Sequence, residues 1–264
     1  MNVLSNKSIK DYIKNIFPKT GMIRVQEAIP VDGNTIIFGI HIACPDSVKG
    51  SVLLLQYSIK KNEVTDFLKL TDAGTLVQRK GTATSSSPDR VGIFFWSLLP
   101  DNRIIYLSSD DEKYINEKEG YINIHLVSFE TKQDKIISVF NPNLKPIEKD
   151  IEKKYSKNMT DKDSKEKYSA IVSSLKKRGY YPDIMSITID RQYLFIYLFN
   201  FKNPSGNNRP VKVVDLYIGK DVYSTEFPDK FSYISQGYIY SDDYDKNGYI
   251  EIRKYKLNPS VYGK

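Results

Sequence analysis

The chain has 264 residues with a net charge of +7, and 40% of its residues are hydrophobic and 12% aromatic. This apolar content can build one large domain, and no run approaches the roughly 20 apolar residues of a membrane-spanning helix, which excludes a helical transmembrane segment. Lysines and acidic residues are interleaved almost everywhere, which argues against nucleic acid as a partner. The hypothesis that the protein attaches to an anionic surface therefore has only the net charge as support.

The start of the chain and its cysteine content restrict location and chemistry. Cys44 is the only cysteine, so an internal disulfide and a cysteine-based metal cluster are excluded. The opening "MNVLSNKSIKDYIKNIF" lacks the continuous apolar region and the cleavage site of a secretory signal. The location therefore stays open: the periplasm or cell envelope if a signal was removed, and the cytoplasm otherwise.

The first predicted element is an N-terminal helix over about 5–17, because Ile9, Tyr12, Ile13 and Ile16 recur at helical spacing. The period then changes to that of strands. Four consecutive strand patterns, "MIRVQEAIPV", "NTIIFGIHIA", "SVLLLQYSIK" and "VTDFLKL", are separated by turn sequences and predict a four-stranded antiparallel meander. After a Ser-rich loop, a second set of four runs from "RVGIFFWSLL" to "DKIISVF".

A charged helical insertion over about 145–180 interrupts the strands. Its apolar stripe has helical spacing, and Gly179 is a predicted helix end; the stripe consists of Tyr168, Ile171, Val172 and Leu175. A third set of four strands then runs from "DIMSITID" to "VYSTEF". The final unit, "FSYISQGYIYSDD" with "GYIEIRKYKL", is short by one or two strands.

These patterns predict an all-β fold: a single β-propeller-like domain over 1–264, made of four-stranded antiparallel meander blades with a helical insertion. About four sheet units are counted, and irregular strands within 71–90 and 141–180 would allow up to six blades. The alternative is a large β-sandwich with the charged helix on one side. That fold needs long Greek-key crossovers in place of the short turns.

The C-terminal third resembles a known family, the six-bladed β-propeller proteins of the NHL-like kind from Bacteroidetes and spirochaetes. The resemblance lies in a strand opening, a hairpin and an "F-P" ending, carried by Pro182, Ile184, Ile187, Asp190, Val214, Asp215, Leu216, Tyr217, Gly219, Phe227 and Pro228. It implies a propeller fold and export to the cell envelope. It carries over no catalytic residues, since the matched positions are turn and strand signals.

The segment "SDDYDKNGYIEIRKY" has the beginning of an EF-hand loop, with Asp243, Asp245, Asn247 and Gly248 at the first ligand and turn positions. The twelfth position, where calcium needs a bidentate carboxylate, holds Lys254. We therefore expect a hairpin turn and no cofactor. The alternative is a loop that binds calcium weakly, with candidate ligands Asp242, Asp243, Asp245 and Asn247.

The two histidines, His41 and His125, lie inside the apolar strand patterns "IHI" and "IHL", far apart in sequence. Each is predicted to be a hydrogen-bonded strand histidine, because no catalytic partner can be identified for either.

The first function hypothesis is a non-enzymatic binding or scaffold propeller, which presents loops such as 81–90 and "NPSGNNR" to an unknown protein or saccharide-like ligand. We expect a monomer. The second hypothesis is a propeller hydrolase or lyase that gathers acids and bases from different blades at the channel mouth. Its weak catalytic candidates lie beside strand ends: Asp89, Arg90, Asp101, Asp190 and Arg191.

Overall fold

The fold is that of a computed structural model, which describes residues 6–16, 22–43, 50–70, 77–79, 82–84, 94–108, 111, 113–116, 119–142, 145–157, 160–181, 183–203, 208–228 and 233–263. The chain forms two compact units. The first comprises Met1–Phe94, Phe129–Lys132 and Ile147–Tyr180, and the second comprises Phe95–Ser128, Gln133–Pro146 and Tyr181–Lys264. The expected single domain over 1–264 stays a prediction.

The first unit is built on a four-stranded antiparallel meander. Its strands, in sheet order, are β1 (Met22–Pro30), β2 (Thr35–Ala43), β3 (Gly50–Ser58) and β4 (Glu63–Leu70). The same unit contains the helices α1 (Asn6–Ile16), α2 (Ile151–Ser156) and α3 (Lys162–Arg178) and a small hairpin of β5 (Val77–Arg79) and β6 (Thr82–Thr84).

The core of the first unit lies between α1 and the two central strands. Ile13 of α1 is fully buried against Phe38 and Ile40 of β2 and Leu53 of β3. Burying an aliphatic side chain of this size contributes about 1.5–3 kcal/mol, so this contact, with the partly buried Tyr12, holds a short helix on the sheet.

The helical insertion contains α2 and α3. A capping box begins α3: the Asp161 carboxylate accepts from the Ser164 amide (2.8 Å), and the Ser164 hydroxyl accepts from the Asp161 amide (2.9 Å). Gly179 ends the helix with φ +82°. Three members of the apolar stripe are buried, namely Ile171, Val172 and Leu175.

The second unit contains three antiparallel sheets. The first has the order β11-β10-β8-β7, with β9 also paired to β10; the second has the order β12-β13-β14-β15, and the third β16-β17-β18. Their bounds are β7 (Phe94–Leu98), β8 (Arg103–Ser108), β9 (Lys113–Asn116), β10 (Glu119–Ser128), β11 (Asp134–Asn141), β12 (Ile184–Asp190), β13 (Tyr193–Leu198), β14 (Asn208–Asp215), β15 (Lys220–Pro228), β16 (Tyr233–Ser235), β17 (Tyr238–Tyr244) and β18 (Ile250–Lys256).

Strand β13 joins the two cores of the second unit, because its side chains alternate between the two faces of its sheet. Leu194 and Ile196 belong to the core shared with the β7–β11 sheet. Phe195 belongs to the core shared with β16–β18, where it packs with Ile234 and Ile239. The short 3-10 helix Pro259–Tyr262 completes this second core with Val261.

The predicted fold class is confirmed: the described chain is mostly strand, in several four-stranded antiparallel meanders, with few helices. Apart from β9, the strands within each described sheet follow one another as meanders, without the Greek-key crossovers of the alternative sandwich. The last sheet has three strands and is thus one short of a blade. The number of blades is not fixed, and β9 lies where the sequence predicted only a connection.

Candidate functional site

The candidate site is one face of the C-terminal sheet, β16–β18. On the opposite face, Ile234 and Ile239 are buried against Phe195 and Phe227. Because successive side chains of a strand point to opposite faces, the neighbours of these isoleucines must point away from the core. The buried residues of β16 and β17 therefore fix which of their side chains point outward, and strand pairing extends that outward face to β18.

The outward side chains include tyrosines, isoleucines and a lysine, with the exposed Asp242 and Lys256 beside them. We call the aromatic and aliphatic side chains, together with Lys254, the tyrosine face. Strand pairing aligns them in rows: Tyr233 lies opposite Tyr240, Tyr240 opposite Lys254, and Asp242 opposite Ile252. The face consists of Tyr233, Tyr238, Tyr240, Ile250, Ile252 and Lys254.

The Lys254 ammonium organises the middle of the tyrosine face. Its Nζ lies 3.9 Å from the ring centroid of Tyr238 and 5.7 Å from that of Tyr240. The rings of Tyr233 and Tyr240 are 6.4 Å apart, with an interplanar angle of 39°. A cation over aromatic faces is an attractive contact of about 0.5–1 kcal/mol at exposed sites, so the lysine stem and the rings form a preorganised surface.

The outer part of the tyrosine face is apolar and open to solvent. Tyr233 is 57% exposed, Ile250 66% and Ile252 73%. Single exposed apolar residues are normal, but neighbouring ones on a rigid sheet mark a contact surface. Tyrosine suits such a surface, because its ring supplies contact area and its hydroxyl a hydrogen bond.

The Asp-rich segment forms the tip of the β17–β18 hairpin, as the sequence predicts. Oδ1 of Asp245 accepts from the amides of Asn247 (2.8 Å) and Tyr249 (2.9 Å), and the Gly248 amide donates to the Asp245 carbonyl (3.0 Å). Gly248 has φ +83°. The bonds from the backbone of Tyr249 and Asn247 hold the pKa of Asp245 below its ordinary value.

The calcium candidates do not gather into a metal site in the part of the chain that the structure describes, where no group of three or more His, Cys, Asp or Glu side chains could hold a metal ion. Asp242 is exposed and lies opposite Ile252, and Asp243 pairs with Glu251 through the backbone. One carboxylate oxygen of Asp245 is already occupied by the turn. Weak calcium binding stays an expectation to be tested.

The catalytic candidate Asp190 is a buried structural acceptor. Its Oδ1 accepts from the Gln236 amide (2.6 Å), and its Oδ2 accepts from the Gly237 amide (2.9 Å) and the Tyr262 hydroxyl (2.6 Å). The carboxylate thus ties the end of β12 to the β16–β17 turn and to the 3-10 helix. Arg191, the next residue, is exposed in a turn with φ +59°.

Among the described candidates, Asp101 does not join Asp190 in a catalytic group. Asp101 is bound by its neighbour Arg103 through Nε (2.9 Å) and Nη2 (2.6 Å), and this hydrogen bond lowers the pKa of Asp101. Asp89 and Arg90 lie outside the described residues, as does Cys44. Hydrogen bonds therefore link Asp101 and Asp190 to different partners.

The sequence did not reveal a cluster around His125, a residue of β10. Its Nδ1 bonds to Asp134 Oδ2 (2.6 Å), its Nε2 bonds to Asp111, and its ring stacks on Tyr106 with centroids 4.3 Å apart. Burial lowers the pKa of His125, but the hydrogen bonds and charges of the two acids outweigh burial, and the net shift of its pKa is upward.

This arrangement makes the predicted strand histidine a structural ion-pair centre. A general base needs a ring nitrogen that can accept a proton from a substrate, and both ring nitrogens of His125 are bonded to carboxylates. The other histidine, His41, has a buried Nε2 without a hydrogen-bond partner among the described residues. Burial, together with the charge of Arg24, lowers the pKa of His41.

No described helix combines the length and apolar character needed to cross a membrane.

No protein-family description and no curated protein matches the chain. Solved structures do match. The β-propeller domain of the Trilobed protease from Pyrococcus furiosus is 11% identical, with 90% of this chain and 58% of that chain covered and a TM-score of 0.43. Pyrococcus horikoshii acylaminoacyl peptidase is 12% identical, with 89% and 31% covered and a TM-score of 0.44.

A third match is the WD40 domain of SCAP from fission yeast, at 8% identity, with 92% of this chain and 67% of that chain covered and a TM-score of 0.28. This chain thus spans 58% and 31% of the two Pyrococcus chains. At such identities and TM-scores, none of these likenesses bears on what this chain binds or catalyses.

Proposed function

We propose that this chain is a non-enzymatic binding or scaffold protein of the β-propeller kind, and that the tyrosine face is its ligand-binding surface. The observation that carries the proposal is the exposure of aromatic and aliphatic side chains in register on a sheet whose other face is buried along β16 and β17. A rigid base lowers the entropic cost of binding, because the contact residues are ordered before the ligand arrives.

The chemistry of the tyrosine face favours a protein ligand over a saccharide-like one. Tyrosine rings suit either ligand, since both present C–H groups that stack on an aromatic face. Ile250 and Ile252 add an aliphatic area beside the rings, and the core of a protein interface is rich in such groups and poor in charge. A saccharide-like ligand would contact the rings and Lys254 and gain little from the isoleucines.

The alternative function, a propeller hydrolase or lyase, rests largely on residues beyond the described part of the chain. Asp101 and Asp190 are bound by other groups of the protein, so catalysis would depend on Asp89 and Arg90, together with the exposed Arg191. The finer features of the proposal are a ring of six blades of the NHL-like kind and a location in the cell envelope. Their support is the sequence resemblance of the C-terminal third.

The test is binding of the purified chain to an array of immobilised peptides and an array of glycans. We expect specific peptide binding that is lost in the double variant Tyr233→Ala/Tyr240→Ala. The matched control is Tyr217→Ala, because Tyr217 is 75% exposed but lies in the β14–β15 turn, outside the face.

Each outcome of the array experiment is decisive for the proposal. Binding only to glycans, lost in the double variant, would keep the face and replace the ligand class. Binding that the double variant retains, or the absence of binding on both arrays, would refute the tyrosine face as the ligand site. Turnover of an ester, peptide or uronide substrate by the wild type would instead support the enzyme alternative.

A further inference from the structure

Strand β18 is the open edge of the C-terminal sheet. One edge pairs with β17 along the whole strand, and no described strand pairs with the other edge. All seven residues of β18, Ile250 to Lys256, are exposed. An edge of this kind offers a row of backbone donors and acceptors to another strand, and proteins usually block it with charged side chains.

The charges of β18 do not simply block the edge, because they are of both signs and closely spaced. Glu251 and Arg253 point to the same face and bond to each other, with Arg253 Nη2 2.7 Å from Glu251 Oε2. Two identical strands that pair antiparallel about a two-fold axis bring each residue opposite one of the same face. The centre of the pairing decides which charges meet.

The register centred on Ile252 places opposite charges across the new interface. There Ile252 faces its own copy, Glu251 faces Arg253 of the second copy, and Ile250 faces Lys254. Just beyond the strand, Tyr249 faces Tyr255. Opposite charges and aromatic pairs directly across strands both stabilise the pairing.

The registers centred on the other residues from 251 to 255 all bring like charges together. When the pairing is centred on Arg253, the arginines of the two copies face each other, and when it is centred on Lys254, the two lysines do. A pairing centred on Glu251 brings the two glutamates together, and one centred on Tyr255 places Lys254 opposite Lys256 of the second copy.

A pairing centred on Ile250 opposes no like charges within the strand, but it sets Glu251 and Ile252 against residues 248–249 of the hairpin tip, outside the strand. Like charges directly opposite are destabilising, so charge and strand length together favour the Ile252 centre.

We propose that the partner of the β18 edge is a second copy of this chain, joined by antiparallel pairing of the two β18 strands centred on Ile252. This goes beyond the proposed function and departs from the monomer expected from sequence. The two-fold axis is perpendicular to the sheet, so the two tyrosine faces lie on the same side of one six-stranded sheet. The dimer is thereby bivalent for a ligand that repeats.

The test is sedimentation of the full chain over a range of concentrations, followed by charge reversal. We expect a shift from 30.4 kDa towards twice that mass as concentration rises. Glu251→Arg leaves four arginines at the centre of the pairing, and Arg253→Glu leaves four glutamates. Each single variant should therefore dissociate at least about tenfold more readily.

Mixing the two single variants isolates the pairing between chains. A chain with Glu251→Arg and a chain with Arg253→Glu form two Arg–Glu pairs in the Ile252-centred register, and only one in the registers centred on position 251 or 253. We expect the equimolar mixture to regain the wild-type dimer mass. The double variant E251R/R253E should regain it alone.

Fold and specificity are controlled within the same series. Thermal melting should show that the variants stay folded, since both positions are exposed. Ile252→Asp should abolish association, whereas Ile218→Asp should not, because Ile218 is 61% exposed in another turn. A wild type that stays at 30.4 kDa at every concentration overturns the proposal, as does a mixture that does not re-associate. The first result would mean that another segment or partner covers the edge.

Discussion

Replacement of Asp190 by alanine should destabilise the protein more than any other single change at a polar residue named above. Asp190 is 3% exposed, and its carboxylate accepts three hydrogen bonds, from two backbone amides and from the Tyr262 hydroxyl. The amides belong to Gln236 and Gly237, which both have positive φ in the β16–β17 turn. Alanine would leave three donors without their acceptor in a part-buried place.

The magnitude follows from the number and kind of these bonds. A hydrogen bond to a charged group contributes about 1.5–3 kcal/mol, and bonds that share an acceptor are not additive. We therefore expect Asp190→Ala to lower the free energy of unfolding by about 3–5 kcal/mol. Tyr262→Phe removes one donor and should cost about 1.5 kcal/mol of unfolding free energy. When Asp190 is already alanine, the same change should add little further cost.

Urea denaturation of the wild type, the two single variants and the double variant measures these costs and their coupling. Asp101→Ala is the matched control, since Asp101 is exposed and its side-chain partner among the described residues is Arg103; it should cost about 0.5 kcal/mol or less. Hydrogen exchange of the Gln236 and Gly237 amides should accelerate in Asp190→Ala. An Asp190→Ala variant no less stable than Asp101→Ala would refute the reasoning.

Three further predictions concern the hairpin tip and His125. Gly248→Ala should cost about 1 kcal/mol because of its φ of +83°, whereas Gly33→Ala, with equally open space and no positive φ, should cost less in the same denaturation experiment. His125→Gln should be most destabilising below pH 6.5, because the two acids raise the pKa of His125 in the folded state. The protonated histidine then contributes its full stabilisation below the pKa of the unfolded state, and this stabilisation is lost as the pH rises through the pKa of the folded state. A destabilisation that does not depend on pH would contradict this. Added calcium should leave the melting temperature unchanged. A calcium-dependent rise that Asp245→Ala abolishes would instead support the alternative that this loop binds calcium.

The sheets could be predicted because their central strands are continuous apolar runs between short turns. Such a run must be buried on both faces, as β13 is. The short strand β9 could not, because "KYIN" sits among charges and owes its pairing to β10. The break between β16 and β17 was also missed, because its turn includes Gln236, a non-glycine residue at φ +52°.

The candidate site could be predicted only where its contacts are local in sequence. The hairpin turn follows from the local run Asp-Lys-Asn-Gly, in which Asp245 accepts from the turn amides and Gly248 takes the positive φ that glycine favours, whereas Asn247 has no positive φ. The partners of Asp190 lie 46, 47 and 72 residues away, so its structural role required the packed fold. The alternation of the tyrosine face could be predicted, since "YIS" and "YIY" alternate aromatic with buried residues. The sequence could not predict which face of the sheet is exposed to solvent.

The central claim, that the tyrosine face binds the ligand, is tested most directly by amide hydrogen exchange of the chain with and without the peptide selected on the array. Bound ligand protects the backbone of the elements it covers. We predict slower exchange in β16, β17 and β18, and unchanged exchange in the β14–β15 turn around Tyr217. Protection of other sheets with none in β16–β18 would contradict the account.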